Sequence, residues 1–454
     1  MRMKYETPVI QKCQTGLMNK FGSCPHYSRK IRTGIDDVSI DNLVEKYGSP
    51  LFVFSEKTLR ERFREIHRAF STRYPNVTFA WSYKTNYLPA ICAVFHQEGA
   101  IAEVVSEMEY DKARKLGVPG DKIIFNGPYK SLHALEKAVS EGAMVHIDHL
   151  DEIYDLEKVA DKLGRKIKVA LRLNMDTGIR PQWSRFGFNV DSGQAMMAAR
   201  RIHHGGKLII NGLHCHIGTF ILEPDAYGVQ VEKMLKLAYQ IEDQFKFGIE
   251  YIDIGGGFPS KSKLKGTYLS PDLSVPAIDD YAEKITSAFY KNLRPGDFPR
   301  LILESGRVMV DEAGYLITTI HSSKRMPDGR KAYVVDAGVN ILFTSFWYKF
   351  KLEIDREVQG VNEPSIVYGP LCMNIDVIDE GCLLPPLNRG TRLIVSPVGA
   401  YNVTQWLQFI SYRPNVVLTG ENGKVDVIRE AEDLLDIERR ERLPEHLLLS
   451  SKSS

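Results

Sequence analysis

Eight short β-type runs recur between residues 78 and 304, and each except the last is followed by a stretch compatible with helix. They are Thr78–Tyr83, Ile101–Val105, Lys122–Phe125, Met144–Ile147, Ile167–Leu173, Ile210–His216, Tyr251–Ile254 and Leu301–Glu304. Strands alternating with helices imply parallel βαβ units. Eight such units in roughly 250 residues match a (β/α)8 barrel. The intervening stretches carry helix period. In Glu56–Phe70, Leu59, Phe63, Ile66 and Phe70 recur at steps of four, three and four, with Ser55 placed as an N-cap. In Val231–Phe245, Val231, Leu235, Ala238, Ile241 and Phe245 share one face.

After Arg307 the texture changes to β-rich runs punctuated by Gly and Pro: Tyr315–Ile320, Ala332–Val335, Ser365–Tyr368, Arg392–Ser396 and Asn415–Leu418. The expected class is α/β: a barrel at 56–307 and a C-terminal β domain at 308–430. Pro50–Phe54, within the segment 36–55, is expected to join that β domain and make it discontinuous. Residues 1–35 read as an irregular extension and 431–454 as a tail.

Composition narrows the function classes. Of 454 residues 26% are charged, and the net charge is only +2, which leaves no electrostatic footprint for nucleic acid. No apolar run reaches the ~18 residues of a membrane span, and the N-terminus shows no apolar signal core. Six cysteines are too sparse for a disulfide scaffold, so a reduced cytoplasmic protein is expected. Cys13, Cys24 and His26 lack the CxxC spacing of a zinc site, and no metal site is assigned.

Barrel enzymes carry their chemistry at the C-terminal ends of the strands. Lys84 follows the first run, Glu103 lies near the end of the second, and Arg172 is in the fifth. His216 and Thr219 end the sixth, Gly255-Gly256-Gly257 the seventh, and Glu304 and Arg307 the eighth. Singly, each has an ordinary reading: a solvated lysine, a tight turn, a packed histidine. Together they fit pyridoxal 5′-phosphate. A lysine amine can hold an aldehyde, glycine N–H groups with Thr219 and Arg307 can hold a phosphate, an imidazole can stack on a ring, and a carboxylate can pair with a pyridinium nitrogen.

The motifs Tyr83-Lys84-Thr85-Asn86, Ser184-Arg185-Phe186-Gly187, His214-Cys215-His216-Ile217-Gly218-Thr219, Gly255-Gly256-Gly257-Phe258-Pro259 and Glu304-Ser305-Gly306-Arg307 resemble the ornithine/diaminopimelate/arginine decarboxylase family. The likeness continues in Val335-Asp336-Ala337-Gly338, Gly369-Pro370-Leu371-Cys372 and Gly399-Ala400-Tyr401, and spans roughly residues 45–425. It implies an alanine-racemase-like barrel with a β domain, and amino-acid decarboxylation with pyridoxal 5′-phosphate. By resemblance Lys84 is the Schiff-base lysine, His216 the stacking imidazole and Glu304 the partner of the pyridine nitrogen. Thr219, Gly255, Gly256, Gly257, Arg307 and Tyr401 surround the phosphate, and Glu103 and Arg172 complete the cofactor set. Cys372 is the proton donor, supplied by the second subunit of a homodimer with shared active sites. A monomer is therefore expected to lack Cys372, and Tyr401 with it.

The substrate side departs from the family. Where diaminopimelate decarboxylases typically have Glu after the catalytic cysteine, Met373 stands here. Thr344 takes the place of an arginine that grips a substrate carboxylate. Glu103 replaces an aspartate, and Ser305 a proline. With Tyr348 and Asp376, Thr344 and Met373 form the expected substrate pocket. The expected substrate is an amino acid, a conjugate or a carrier-bound aminoacyl group, with diaminopimelate itself as the alternative. A racemase on the same barrel is a second alternative, but such racemases place arginine near the pyridine nitrogen. A cofactor-free regulatory protein is disfavoured by the intact set of site residues.

Overall fold

The computed structural model describes residues 31–179, 181–267 and 269–448. Cys13, Cys24, His26 and most of the expected N-terminal extension lie outside them.

Eight parallel strands form the barrel: Val77–Ser82, Ile101–Val104, Ile123–Phe125, Met144–Ile147, Ile167–Asn174, Leu208–Cys215, Tyr251–Asp253 and Arg300–Ser305. Each pairs with the next in chain order. The eighth closes on the first through Leu301↔Val77 to Ser305↔Trp81. All eight expected strands are present, with ends shifted by at most two residues. The helix Glu56–Ser71 is capped by Ser55, whose Oγ accepts from the Thr58 N–H at 3.1 Å, and it buries Leu59, Phe63, Ile66 and Phe70. The helix Asp225–Phe245 buries its Val231, Leu235, Ala238, Ile241 and Phe245 face.

A strand turns alternate side chains to opposite faces, so every second residue of a barrel strand points inward. One inward layer is apolar: Ala80, Ile101, Ile124, Ala170, Tyr251 and Ile302, with Met144 against it. Two residues further along the same strands stand Ser82, Glu103, Asn126, His146, Arg172, Asp253 and Glu304, with His214 from the sixth strand, all buried. The apolar layer plugs the barrel, and the polar layer above it is the floor of the catalytic end.

A second sheet lies beyond the barrel. Its main path runs Val377–Leu384, Glu363–Tyr368, Lys331–Val335, Gly314–Arg325, Leu51–Ser55, Val416–Thr419, Val425–Arg429. Arg392–Ser396 also pairs with Gly314–Arg325 and with Lys351–Ile354. Leu51–Ser55, which precedes the barrel in sequence, is antiparallel to Gly314–Arg325 and parallel to Val416–Thr419. Three strands of this sheet were not expected: Lys351–Ile354, Val377–Leu384 and Val425–Arg429. Nor was the helix Ile40–Tyr47, whose N-terminus Ser39 caps through the Asn42 N–H. Among the described residues no helix is long and apolar enough to cross a membrane.

Candidate active site

Lys84 lies in a single 3-10 turn directly after the first barrel strand. Its Nζ donates to Glu103 Oε2 on the neighbouring strand at 2.5 Å. Glu103 is fully buried, whereas the lysine side chain keeps 31% exposure and opens into the cavity above. Burial alone would lower the lysine pKa, but the carboxylates of Glu103 and Glu304 outweigh it and hold the pKa above the ordinary lysine value. The resting amine is thus an ammonium with a proton acceptor in place.

Ser82, Lys84, Thr85, His216, Thr219, Gly257, Phe258, Glu304, Gly306, Arg307, Val308 and Tyr401 line this cavity. His216 is held neutral: burial and the nearby Lys84 charge push its pKa down to about 3. Its ring sits 5.3 Å from that of Trp183. Glu304 is buried at the end of the eighth strand. One of its carboxylate oxygens accepts from Asn126 Nδ2, and the other lies 3.2 Å from His214 Nε2.

Around the opening, Arg307 is enclosed by aromatic rings, its guanidinium 4.8 Å from Tyr401 and 5.0 Å from Tyr348. The Tyr401 N–H donates to the Thr85 carbonyl at 2.9 Å. Tyr401 therefore reaches the cavity from the same chain as Lys84. This corrects the expectation that a monomer's site would lack it: the β domain packs over its own barrel mouth. The glycine run permits close approach of backbones. A Cβ on Gly256 would fall 2.2 Å from the Glu304 carbonyl oxygen, and one on Gly255 2.8 Å from the His216 Cβ. Gly256→Ala is accordingly expected to cost about 1–3 kcal/mol and to weaken cofactor binding, read by thermal unfolding and cofactor titration.

Other expected residues sit elsewhere. Arg172 is in the polar floor, 3.4 Å from Asp148 and over the Phe186 ring, and does not line the cavity. Cys372 is exposed on a β-domain loop and does not line the cavity either. Thr344 is buried, with its N–H and hydroxyl both donating to Asn402 Oδ1 at 3.1 and 2.9 Å. Asp376 is buried and accepts from the Val339 and Leu371 N–H groups, both at 2.7 Å. The polar atoms of Thr344 and Asp376 are thus committed to holding loops. Asp376 thereby fixes the turn that presents Cys372 and the half-buried Met373. A cleft at the opposite end of the barrel, lined by Tyr239, Glu242, Glu250, Asp297 and Phe298, offers no comparable set.

These residues fit pyridoxal 5′-phosphate on their own geometry. Among the described residues, one buried nitrogen of Arg307 and the His216 Nδ1 have no partner, the glycine turn leaves no room for side chains, and an amine faces a carboxylate across the floor. Lys84 would hold the aldehyde carbon, the glycine turn, Thr219 and Arg307 the phosphate, and Glu304 the pyridine nitrogen. When bound, the cofactor supplies an electron sink for the pair released by a breaking bond at the amino acid's Cα. The protein's part would be to hold the charges: Glu103 stands where it would accept the lysine proton, neutral His216 would offer a flat uncharged face, and Glu304 would keep a proton at the ring nitrogen. The fold and site thus define a barrel-type pyridoxal phosphate enzyme.

Comparison with known proteins takes the assignment further. Residues 57–311 match the model of the pyridoxal-dependent decarboxylase family, pyridoxal binding domain. The chain is 31% identical over 420 residues to the diaminopimelate decarboxylase of Aquifex aeolicus, covering 88% of this chain and 93% of that one. The crystal structure of a diaminopimelate decarboxylase from Methanocaldococcus jannaschii superposes with a TM-score of 0.84 at 28% identity, over 92% of this chain and 99% of that one. The same archaeal enzyme in complex with L-lysine gives a TM-score of 0.83 at 27% identity, over 91% and 97%. The chain belongs to the pyridoxal-dependent decarboxylases, and its reaction is the pyridoxal phosphate-dependent loss of CO2 from an amino-acid substrate.

The floor contains groups the sequence reading gave no role. Asn126, His146, His214 and Asp253 all stand in the polar layer. Their signal was available: each lies two residues beyond an inward small or apolar residue of its own strand.

Proposed function

We propose that this decarboxylase acts on an amino acid, a conjugate or a carrier-bound aminoacyl group whose far end is not the ammonium–carboxylate pair of diaminopimelate. The observation that carries the reading is the pair of residues at the two recognition positions. Thr344 is uncharged and spends its hydroxyl on Asn402, and Met373 offers no carboxylate. Burying two substrate charges without partners costs several kcal/mol, enough to lower selection of such a substrate by orders of magnitude. The exposed Phe346 and Trp347 beside this segment favour a less polar contact surface.

The test is CO2 release by the cofactor-loaded protein across both enantiomers of lysine, ornithine, arginine, glutamate and aromatic amino acids, together with meso-diaminopimelate. The expected result is a preferred substrate other than meso-diaminopimelate. Turnover of meso-diaminopimelate at a rate normal for a dedicated enzyme would overturn the reading and make the chain a diaminopimelate decarboxylase outright.

The same proposal includes a cytoplasmic homodimer in which Cys372 enters the partner's site as proton donor. Its exposure on a loop fixed by Asp376 supports this, since the thiol is presented outward. Mixing separately inactive Lys84→Ala and Cys372→Ala proteins should then restore up to about a quarter of wild-type activity per site, through heterodimers with one intact site. Mixtures that stay inactive after verified subunit exchange would show that the two residues serve one site from one chain.

A further inference from the structure

His146, His214, Asp253 and Glu304 present ligand-type atoms within 4.8 Å of one another, and all four are buried. Asp253 Oδ1 accepts from the Gly255 N–H at 2.9 Å, whereas its Oδ2 has no hydrogen-bond partner among the described residues. A buried carboxylate oxygen facing another carboxylate lacks one thing, a proton between them.

The charges around the floor lead to the same point. Among the described residues three cations stand there, and each has its own carboxylate: Lys84 with Glu103 at 2.5 Å, Arg172 with Asp148 at 3.4 Å, and Lys130 with Glu152 at 2.6 Å. Glu304 and Asp253 remain. Their neighbours are the Asn126 amide, the His214 and His146 rings, and, through His146 Nε2 at 3.1 Å, the Tyr251 hydroxyl. Both rings are kept neutral, by burial first. Glu109, beyond Glu103, accepts from the Val105 N–H and adds no positive charge. A pyridinium nitrogen would neutralise one of the two remaining carboxylates. The other has no cation among the described residues, and an unpaired charge in a dry barrel takes a proton instead.

We propose that Asp253 is the protonated member of a carboxylic acid–carboxylate pair, donating from Oδ2 to Glu304, and is a positioning residue for the acid that meets the cofactor's ring nitrogen. Burial, then the Glu304 charge, raise the Asp253 pKa well above the ordinary range, in the direction this requires. The pair behaves as one unit with a single negative charge. The Asp253 proton holds one Glu304 oxygen and the Asn126 amide holds the other, so the carboxylate plane is fixed before the cofactor arrives. The inference does not depend on which amino acid is the substrate.

Infrared spectroscopy of the unmutated protein, with and without pyridoxal 5′-phosphate, tests it. A protonated-carboxyl C=O band is expected at neutral pH, shifting when the aspartates are labelled with 13C and vanishing in Asp253→Asn. The amide introduced by Asp253→Asn could still donate an N–H to Glu304, so kcat should fall at least tenfold less in Asp253→Asn than in Asp253→Ala. Isotope labelling of the native chain gives the answer even if neither variant folds. Absence of the band at neutral pH, or a band that ignores aspartate labelling, would overturn the proposal. So would a stoichiometric metal ion in the purified protein that is lost with Asp253→Asn, since the four groups would then be ligands.

Discussion

Lys84→Ala should reduce CO2 release by at least about 10³-fold, because it would remove both the amine proposed to hold the cofactor and the partner of Glu103. The difficulty is to separate chemistry from folding. Glu103 is fully buried and its 2.5 Å partner would be gone. Stranding a buried acceptor costs about 1–3 kcal/mol, and more if its charge persists. The cavity end of Lys84 is partly exposed, which moderates that penalty through solvent. Lys84→Ala/Glu103→Gln removes the stranded charge, and the remaining amide can still take the 3.3 Å Asn126 hydrogen bond. The double variant should recover the unfolding temperature lost in the single one and recover no activity. If activity returned with stability, Lys84 would be a structural cation and the assignment of the site would fail.

How much of this was legible in the sequence depends on which contact carried the information. The barrel strands were readable because apolar runs of strand length alternate with helix-period stretches, a local pattern. Their polar ends were readable for the same reason, so Lys84, His216, Glu304 and Arg307 could be named. Asn126, His146 and Asp253 were equally local, two residues past Ile124, Met144 and Tyr251, but they have a function only as a ring, and a ring exists only once the eighth strand pairs with the first. Tyr401 could not be placed from sequence, since its presence in the cavity depends on the β domain folding back over the barrel through the Thr85 carbonyl.

The missed strands fail for a different reason. Lys351–Ile354 is short and carries a buried acid, Glu353, which is stable there because Arg32 and Lys351 pair with it, both at 2.7 Å. In Val377–Leu384, Asp379, Glu380 and Gly381 interrupt the apolar alternation, and register shifts in its pairing with Glu363–Tyr368 accommodate them. Val425–Arg429 is a terminal strand with no fully buried residue to leave a pattern. For Thr344 and Asp376 chain position suggests a place in the pocket but not that their polar atoms are taken up by Asn402 and by backbone N–H groups.

Glu304→Gln should retain the cofactor and lose roughly 10²–10³-fold in CO2 release, the range expected for removing one preorganised electrostatic contact. Retention follows from geometry: the phosphate-side groups Thr219, Gly257 and Arg307 and the amine of Lys84 line the same cavity without needing the Glu304 charge. The activity loss follows from charge. A neutral amide cannot hold a proton at the ring nitrogen, so the ring draws less strongly on the electrons of the breaking bond. Glu304→Arg goes further, placing a cation among His146, His214 and Asp253 and opposing ring protonation outright. Its expected outcome is a larger loss of CO2 release with Cα–H exchange into deuterated water persisting, because decarboxylation leans on the electron sink more heavily than proton exchange does. If Glu304→Gln left CO2 release intact while still binding cofactor, the carboxylate would not be the ring's partner, and the polar floor would have to be read as structural.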